Sequence, residues 1–363
     1  MIKNAYIHIP FCQSKCNYCS FVSYTGISNE DKQAYVNTLL AEIEHFYKKE
    51  VLETLYFGGG TPSLMTVEQL AQIKNAFVLD ENAEITIEVN PDTVDEKYLS
   101  DLRSIGFNRI SIGVQSFDDE ILKNIGRIHN SQKAVNIVNS AKLVGFNNIS
   151  VDFIYGLPSQ SLENFVSDLE KAVDLGVSHI SLYGLKIEEG CYFDTNPPEN
   201  LPDDDAQADM YLAAINLLES NGFIHYEISN FCKENYCSNH NLAYWNSNEY
   251  YGFGAAAHGY VNGVRYANYS DLKEYKDKFR YKDISLYIAE SNMLEEKIFL
   301  GFRKGDGVDV SEIKAKFNVD FEEKYSMILK KYLETGHILK TSKGYKFSNN
   351  GFLLSNVILA EFI

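Results

Sequence analysis

Three cysteines near the amino terminus have the spacing of a metal centre. Cys12, Cys16 and Cys19 lie within eight residues, in the pattern Cys-x3-Cys-x2-Cys. Three thiolates at this spacing hold three irons of a cubane iron–sulfur cluster and leave the fourth iron without a protein ligand. The pattern therefore predicts a [4Fe-4S] cluster whose fourth iron is open to a further ligand.

Two other uses of these cysteines agree less well with the sequence. A structural zinc site takes four ligands, and the later cysteines, Cys191, Cys232 and Cys237, are too remote to form a second pair by spacing. A disulfide framework suits small secreted domains, and no secretory signal precedes the cysteines. We therefore expect a cytoplasmic protein in which Cys232 and Cys237 are ordinary buried cysteines.

The composition is that of a globular protein with an acidic surface. The chain has 363 residues and a formal net charge of −17. Its length allows one large domain and a smaller one. Because phosphates bind to positive surfaces, this charge argues against a nucleic-acid partner.

Strand-like apolar runs alternate with helical patterns through the first two thirds of the chain. The strands are predicted at about 4–9, 53–57, 84–89, 108–114, 148–154 and 178–184. The helices are predicted around 35–46, 66–78, 95–105, 131–144, 161–175 and 203–221. Six strand–helix units in sequence predict an α/β fold with a parallel sheet, most simply a partial (β/α)6 barrel.

Polar residues and glycines follow the predicted strands at the edge where such a barrel places its site. Cys12 follows the first strand and residues 58–60 the second, while Glu88, Gln115 and Asp152 close the next three. Each alone has an ordinary explanation as a tight turn or a hydrogen-bonded strand end. Together they predict a site in which glycines admit a ligand close to the backbone and carboxylates bind ribose hydroxyls.

The cysteine pattern and the run Gly58-Gly59-Gly60-Thr61-Pro62 together resemble the radical S-adenosylmethionine superfamily. In that superfamily the open iron binds the amino and carboxylate groups of S-adenosylmethionine, and an electron from the cluster releases a deoxyadenosyl radical. The resemblance implies a radical-SAM barrel. It also implies that the cofactor is contacted by the residues at the matching motif positions, namely Tyr6, Gly59, Gly60, Thr61, Glu88, Gln115, Arg127 and Asp152.

Longer matches are similar to the oxygen-independent coproporphyrinogen III oxidase branch of that superfamily, over nearly the whole chain. The matching segments are 6–12, 88–91, 113–117, 126–129 and 152–158. The oxidase proper has a further cysteine two residues after the third, where this chain has Phe21. The run from His240 to Trp245, HNLAYW, instead resembles a His-Asn-x-x-Tyr-Trp signature of haem chaperones in the same branch.

This second motif has a chemistry of its own. Histidine is an axial ligand of haem iron, and tyrosine and tryptophan offer flat faces to the macrocycle. A packed, hydrogen-bonded corner is the other interpretation of the same residues. The resemblance makes His240, Tyr244 and Trp245 candidate haem-binding residues.

The resemblance implies a haem-binding chaperone that delivers haem to respiratory proteins. Such a protein would visit the membrane transiently and would receive electrons from a flavodoxin-like or ferredoxin-like donor. One alternative is the oxidase itself, which decarboxylates the propionates of coproporphyrinogen III by radical chemistry. Another is a protein whose cluster is only a structural device. No catalytic residue and no oligomeric state follow from the sequence.

The pattern changes beyond about residue 285. Helices are predicted at 290–303, 310–317 and 320–335, a hairpin at 337–340 and 344–347, and a last helix at 351–361. This order predicts a smaller, mainly helical domain that is winged-helix-like, and the acidic charge argues against its use on DNA. We divide the chain into a radical-SAM partial barrel (1–229), a connecting region with the second motif (230–285) and a C-terminal domain (286–363).

Overall fold

One nine-stranded sheet organises the computed structural model, which describes residues 1–278 and 293–362. Six parallel strands are neighbours both along the chain and across the sheet: β1 (Asn4–Ile9), β2 (Val51–Gly59), β3 (Val78–Val89), β4 (Arg109–Gln115), β5 (Asn148–Tyr155) and β6 (His179–Gly184). Three short strands extend the two edges: β7 (Ile224–Glu227), β8 (Asn230–Cys232) and β9 (Tyr251–Phe253). The predicted α/β partial barrel is confirmed.

Helices connect the strands and cover the outer face of the sheet. They are α1 (Asn29–Phe46), α2 (Val67–Lys74), α3 (Glu96–Ser104), α4 (Asp119–Asn124), α5 (Ser131–Leu143), α6 (Leu162–Asp174), α7 (Tyr192–Thr195) and α8 (Asp204–Ser220). Most begin at a side chain that accepts a hydrogen bond from the first turn, among them Ser28, Thr66, Asp95, Asn130, Ser161 and Asp203. These caps set where each crossover turns back toward the sheet.

The predicted helices agree with the structure except in detail. The largest differences are at α1, which begins at Asn29 rather than at 35, and at α2, which ends at Lys74 rather than at 78 because β3 already begins at Val78. The short helices α4 and α7 were not predicted, since elements of four to six residues are too short to show a helical period.

The two faces of the sheet differ in chemistry because side chains alternate along each strand. The outer face is apolar and lies in the core beneath the helices; it includes Ile7, Phe57, Ile87, Ile112, Val151 and Leu182. The inner face is largely polar; by strand register it includes Asn4, Tyr6, His8, Thr54, Tyr56, Glu84, Thr86, Glu88, Arg109, Ser111, Ser150, Asp152, His179 and Ser181. The barrel interior is thus built for hydrogen bonding and not for an apolar core.

The region 230–285 does more than connect. It contains α9 (Asn239–Trp245), the hairpin β10 (His258–Val261) and β11 (Val264–Ala267), and α10 (Leu272–Lys278). Its strand β9 pairs with β1, and its strand β8 pairs with β6, so the region contributes to both edges of the sheet. Strands of three residues carry no detectable period, which is why the sequence did not reveal them. The domain boundaries themselves stay a prediction.

One sequence expectation in this region is wrong. Cys232 and Cys237 are paired as a disulfide, with their Cα atoms 5.2 Å apart. A turn after β8, in which the amide of Tyr236 donates to the carbonyl of Lys233, brings the chain back on itself. Cys232 is buried as expected, but Cys237 is partly exposed.

The C-terminal part is a helical unit with a small sheet. Its elements are α11 (Met293–Phe302), β12 (Val308–Asp309), α12 (Val310–Phe317), α13 (Phe321–Lys324), α14 (Ser326–Glu334), β13 (Ile338–Lys340), β14 (Gly344–Phe347), α15 (Asn349–Leu353) and α16 (Ser355–Ala360). The sheet order β12-β14-β13 contains the predicted hairpin and adds a third strand. The helix predicted at 320–335 is broken at Tyr325, and the last helix at Leu354.

Two points complete the comparison with the predicted C-terminal elements. Residues 290–292 of the helix predicted at 290–303 lie outside the described residues. Within the described ranges, no helix combines the length and the apolar character that crossing a membrane requires.

A buried carboxyl group joins α1 to the chain around β9. Glu42 accepts hydrogen bonds from the amide of Gly254 (2.9 Å), the side-chain amide of Asn268 (2.8 Å) and the hydroxyl of Tyr275 (2.7 Å). Glu42 is fully buried. A buried acceptor with several donors is expensive to remove, because each donor is left without a partner.

Replacing Glu42 with alanine should therefore destabilise the protein strongly. We expect the free energy of unfolding to fall by about 3–5 kcal/mol, measured by urea denaturation with circular dichroism. The control is Glu44→Ala on the same helix, whose side chain is exposed and whose effect should stay within about 0.5 kcal/mol. Equal effects of the two substitutions would show that Glu42 does not join these segments.

Candidate functional site

The three motif cysteines lie on the loop that follows β1. At its base the amide of Cys12 donates to the carbonyl of Tyr24 (3.0 Å), and the amide of Tyr24 donates to the carbonyl of Pro10 (2.8 Å). Farther along, the amide of Cys19 donates to the carbonyl of Cys16 (3.1 Å). The three thiols are partly exposed, so the loop presents them at the barrel mouth rather than in the core.

The triglycine turn after β2 packs directly against this loop. The amide of Gly60 donates to the carbonyl of Ile9 (2.9 Å), and the amide of Thr61 donates to the carbonyl of Phe11 (2.7 Å). A Cβ on Gly60 would lie 2.7 Å from the Phe11 carbonyl oxygen and 3.0 Å from the Sγ of Cys12. No side chain fits there, so Gly60 is required by the close approach of the two segments.

A second contact to the cysteine loop comes from the segment after α4. Nη1 of Arg127 lies 3.5 Å from the Sγ of Cys16, and its Nη2 donates to the carbonyl of Gly113. The amide of Asn17 donates to the carbonyl of Ile125 (3.0 Å). The guanidinium of Arg127 thereby brings a positive charge to the thiol and ties the loop to the end of β4.

The three thiols fit a cluster better than a single metal ion. In the described part of the chain, no three His, Cys, Asp or Glu side chains converge on one point as ligands of one ion must. In a cubane each thiolate binds a different iron, so the thiols surround the group instead of meeting. Burial raises the pKa of the Cys19 thiol, and neighbouring Cys16 and Cys12 raise it further. Iron would supply the positive charge that three adjacent thiolates need.

Glu88 at the end of β3 holds the triglycine turn from the barrel side. Its Oε2 accepts from the amide of Gly59 (3.2 Å), and its Oε1 accepts from the hydroxyl of Tyr56 (2.8 Å). Gly59 has φ +113°, and a Cβ there would lie 2.7 Å from the ring of His8. Burial raises the pKa of Glu88 to about 7, so its charge changes near neutral pH.

The remaining predicted cofactor residues are Tyr6, Gln115 and Asp152. The ring of Tyr6 and Oε1 of Glu88 both lie beside Gly58, and the hydroxyl of Tyr6 is 3.0 Å from Nδ1 of His8. Gln115 has φ +68°, a conformation that few non-glycine residues adopt, at the end of β4. Asp152 accepts from the hydroxyl of Ser111 (3.0 Å), and burial raises its pKa. All three belong to the barrel interior or its rim.

The second motif lies at the opposite end of the barrel from the cysteines. Helix α9 enters the interior near the amino ends of β2 and β3, and His240 on it is buried. Its Nδ1 lies 2.7 Å from the hydroxyl of Thr54 and its Nε2 lies 2.8 Å from that of Tyr244. Burial lowers the pKa of His240 to about 3, and the positive charge of Arg109 acts in the same direction.

This placement bears on the haem role of the motif. Both ring nitrogens of His240 are hydrogen-bonded, so ligation of iron would require one of these bonds to break. Trp245 is half-buried at the end of α9. In this structure His240 and Tyr244 occupy a packed, hydrogen-bonded corner, and the haem role of His240, Tyr244 and Trp245 stays a prediction.

Sequence reasoning missed several inner-face residues that shape the site. One of them is His8, whose ring lies against Gly59. Tyr56 was not singled out, nor was Arg109, which is fully buried and whose Nε has no hydrogen-bond partner within the described residues. The available signal was the alternation of polar and apolar residues along each strand, which a search for apolar runs overlooks.

Comparison with known proteins supports the class that the loop and the barrel indicate. The sequence model of the Radical SAM superfamily matches residues 6–172, and that of the HemN C-terminal domain matches residues 288–354. The structure of coproporphyrinogen III oxidase (HemN) from Escherichia coli shares the fold, with a TM-score of 0.87 and 22% identity over 99% of this chain and 90% of that chain. The fold and the cysteine loop define a protein of the radical S-adenosylmethionine class.

Curated relatives identify the family within that class. The heme chaperone HemW of Lactococcus lactis is 38% identical, over 96% of this chain and 96% of the relative. The heme chaperone HemW of Bacillus subtilis is 35% identical, over 100% of this chain and 99% of the relative. The chain belongs to the heme chaperone HemW family, which confirms the resemblance seen in the motifs.

The raised pKa of Glu88 leads to a prediction for cofactor binding. Below about pH 7 the carboxyl is protonated, and above it the carboxylate attracts a cationic ligand. We therefore expect the affinity of reconstituted protein for S-adenosylmethionine, measured by equilibrium dialysis, to rise about tenfold from about pH 6 to about pH 8. Glu88→Gln should lose this rise; the same pH profile in both proteins would assign the dependence to another group.

Proposed function

We propose that this protein is a haem-binding chaperone that carries a radical-SAM [4Fe-4S] cluster. The observation that supports it most is the near full-length similarity to relatives named heme chaperone HemW. Phe21 supports the same choice, because it stands where the oxidase has a further cysteine and its side chain is 65% exposed at the end of the cysteine loop. No fourth thiol is available from that position.

In this proposal Cys12, Cys16 and Cys19 hold the cluster. S-adenosylmethionine binds between the cysteine loop and the triglycine turn, where Gly59 and Gly60 leave room for close backbone contact. Glu88 and Tyr6 face it from the barrel interior, and Thr61, Gln115, Arg127 and Asp152 complete its surroundings. When both are bound, the cluster and S-adenosylmethionine would supply one-electron chemistry at the open iron.

The remaining parts of the proposal concern partners. The haem would be passed to respiratory proteins, and this requires transient association with the membrane that holds them. The cluster would be reduced by a flavodoxin-like or ferredoxin-like donor in the cytoplasm. The acidic net charge of −17 favours basic patches on the partners that the protein meets.

Haem titration tests the proposal directly. We expect anaerobically purified wild-type protein to take up haem stoichiometrically, followed by the shift of the Soret band. His240→Ala is the informative variant: loss of binding with an intact fold assigns the histidine, and retained binding places the ligand elsewhere. Failure of the wild type to bind haem stoichiometrically would end the proposal.

A separate assay addresses the oxidase alternative. Reconstituted protein is incubated anaerobically with coproporphyrinogen III, a reductant and S-adenosylmethionine. We expect no protoporphyrinogen, while the release of deoxyadenosine with and without haem reports whether radical cleavage occurs at all. Formation of protoporphyrinogen would establish the oxidase instead.

A further inference from the structure

Three flat side chains, those of His240, Tyr56 and Tyr6, contact one another pairwise in the barrel interior, and this three-membered group is called the stack below. The ring of His240 stacks on that of Tyr56, with centroids 5.0 Å apart and an interplanar angle of 24°. Tyr56 stacks in turn on Tyr6, at 6.0 Å and 27°. The rings of Tyr6 and His240 are 6.5 Å apart at 30°. The stack therefore joins α9 to β1 and β2.

Each tyrosine connects this stack to the triglycine turn through a hydrogen bond of its hydroxyl. The hydroxyl of Tyr56 donates to Glu88, which in turn accepts the amide of Gly59. The hydroxyl of Tyr6 is hydrogen-bonded to His8, whose ring occupies the space that a Cβ on Gly59 would need. Two routes, one through each tyrosine, thus begin at His240 and end at Gly59, and the contact between the two tyrosine rings joins them.

His240, the member of the stack that lies on α9, is fixed in place. Both nitrogens of His240 are hydrogen-bonded, to Thr54 and to Tyr244. The carboxylate of Glu84 accepts the amides of Asn239 (3.0 Å) and His240 (3.1 Å) and so anchors the first turn of α9 to β3. These hydrogen bonds hold the imidazole of His240 in a single orientation, with its flat face against the ring of Tyr56.

We propose that His240 is a positioning residue for the cofactor site. It fixes the rings of Tyr56 and Tyr6, and these hold Glu88 and His8 against Gly59. The inference rests on the proposed binding of S-adenosylmethionine at this turn, but the order of the turn is a property of the protein alone. In this proposal the His-Asn-x-x-Tyr-Trp motif lies at one end of the barrel and orders the triglycine turn at the other end, next to the cysteine loop.

Three variants and one control separate this role from general stability. His240→Leu removes the flat ring and both hydrogen bonds, whereas His240→Phe keeps a flat ring in the stack. Tyr56→Phe removes only the hydroxyl that reaches Glu88. The control is His179→Leu, because His179 is also buried in the barrel and also bonded through both nitrogens, to Ser150 and Tyr226 at 2.8 Å. No ring contact joins His179 to Tyr6 or Tyr56 in the described structure; its ring faces Tyr226.

Two measurements are made on each protein. The first is amide hydrogen exchange of the segment 56–62 in protein without S-adenosylmethionine. The second is the dissociation constant for S-adenosylmethionine after cluster reconstitution, with iron and sulfide content as the check that the cluster has formed. Exchange reports the order of the turn even if no cofactor binds.

We expect His240→Leu to speed exchange at the turn about tenfold and to weaken cofactor binding by a similar factor. His240→Phe should recover most of the loss, and Tyr56→Phe should speed exchange at the same turn. His179 reaches α9 only indirectly, through Tyr226, whose hydroxyl accepts the amide of Ser238 (3.3 Å). His179→Leu should therefore speed exchange at the turn much less than His240→Leu does, even where it lowers the melting temperature as much.

Equal exchange at the turn in His240→Leu and His179→Leu would overturn the inference, as would an unchanged turn in Tyr56→Phe. If His240→Leu does not fold, the comparison of Tyr56→Phe with His179→Leu decides, and exchange at the turn that is no faster in Tyr56→Phe overturns the inference. If wild-type protein binds no S-adenosylmethionine, the proposed cofactor site fails, while the exchange data still decide whether His240 orders the turn.

Discussion

The fold depends on the alternation of apolar and polar side chains along six parallel strands. This alternation places the apolar set beneath the helices and leaves polar groups such as Glu84, Arg109 and Asp152 facing inward. A buried polar group must find a partner, or its desolvation is not compensated. The barrel interior therefore has to be completed by other polar groups. At one end these come from α9, and at the other they would come from the proposed polar cofactor.

The cluster end is shaped by backbone more than by side chains. Gly60 lies against the loop of Cys12, Gly59 lies against His8, and Gly126 would direct a Cβ to within 2.9 Å of the side chain of Asn17. These contacts fix three loops relative to one another, and Tyr18 of the cysteine loop also packs against a small apolar cluster that includes Ile125 and Leu157. Loops held this closely lose little freedom when a ligand arrives, which favours binding.

Much of the cluster end was predictable, because its residues follow strands whose apolar runs are easy to recognise. Cys12 and Glu88 each follow or close such a strand, and their spacing carries the chemistry. The burial of His240 inside the barrel was not predictable. It depends on how α9 enters the barrel, and α9 lies in the chain between β8 and β9, whose three residues each are too few to show a period. The pairing of Cys232 with Cys237 was not predictable either, because a short turn brings the two cysteines together and no sequence pattern marks that turn.

The position of α9 also links the barrel to the C-terminal helices. Asn246, which ends α9, accepts hydrogen bonds from Lys297 (3.4 Å) and Lys304 (3.1 Å), both contributed by the chain around α11. A displacement of α9 that freed His240 for iron would therefore disturb these contacts and the tyrosine stack together. Haem ligation by His240 breaks at least one of its two ring-nitrogen hydrogen bonds, and any shift of α9 that accompanies it also disturbs the amide contacts with Glu84, so such ligation carries a conformational cost.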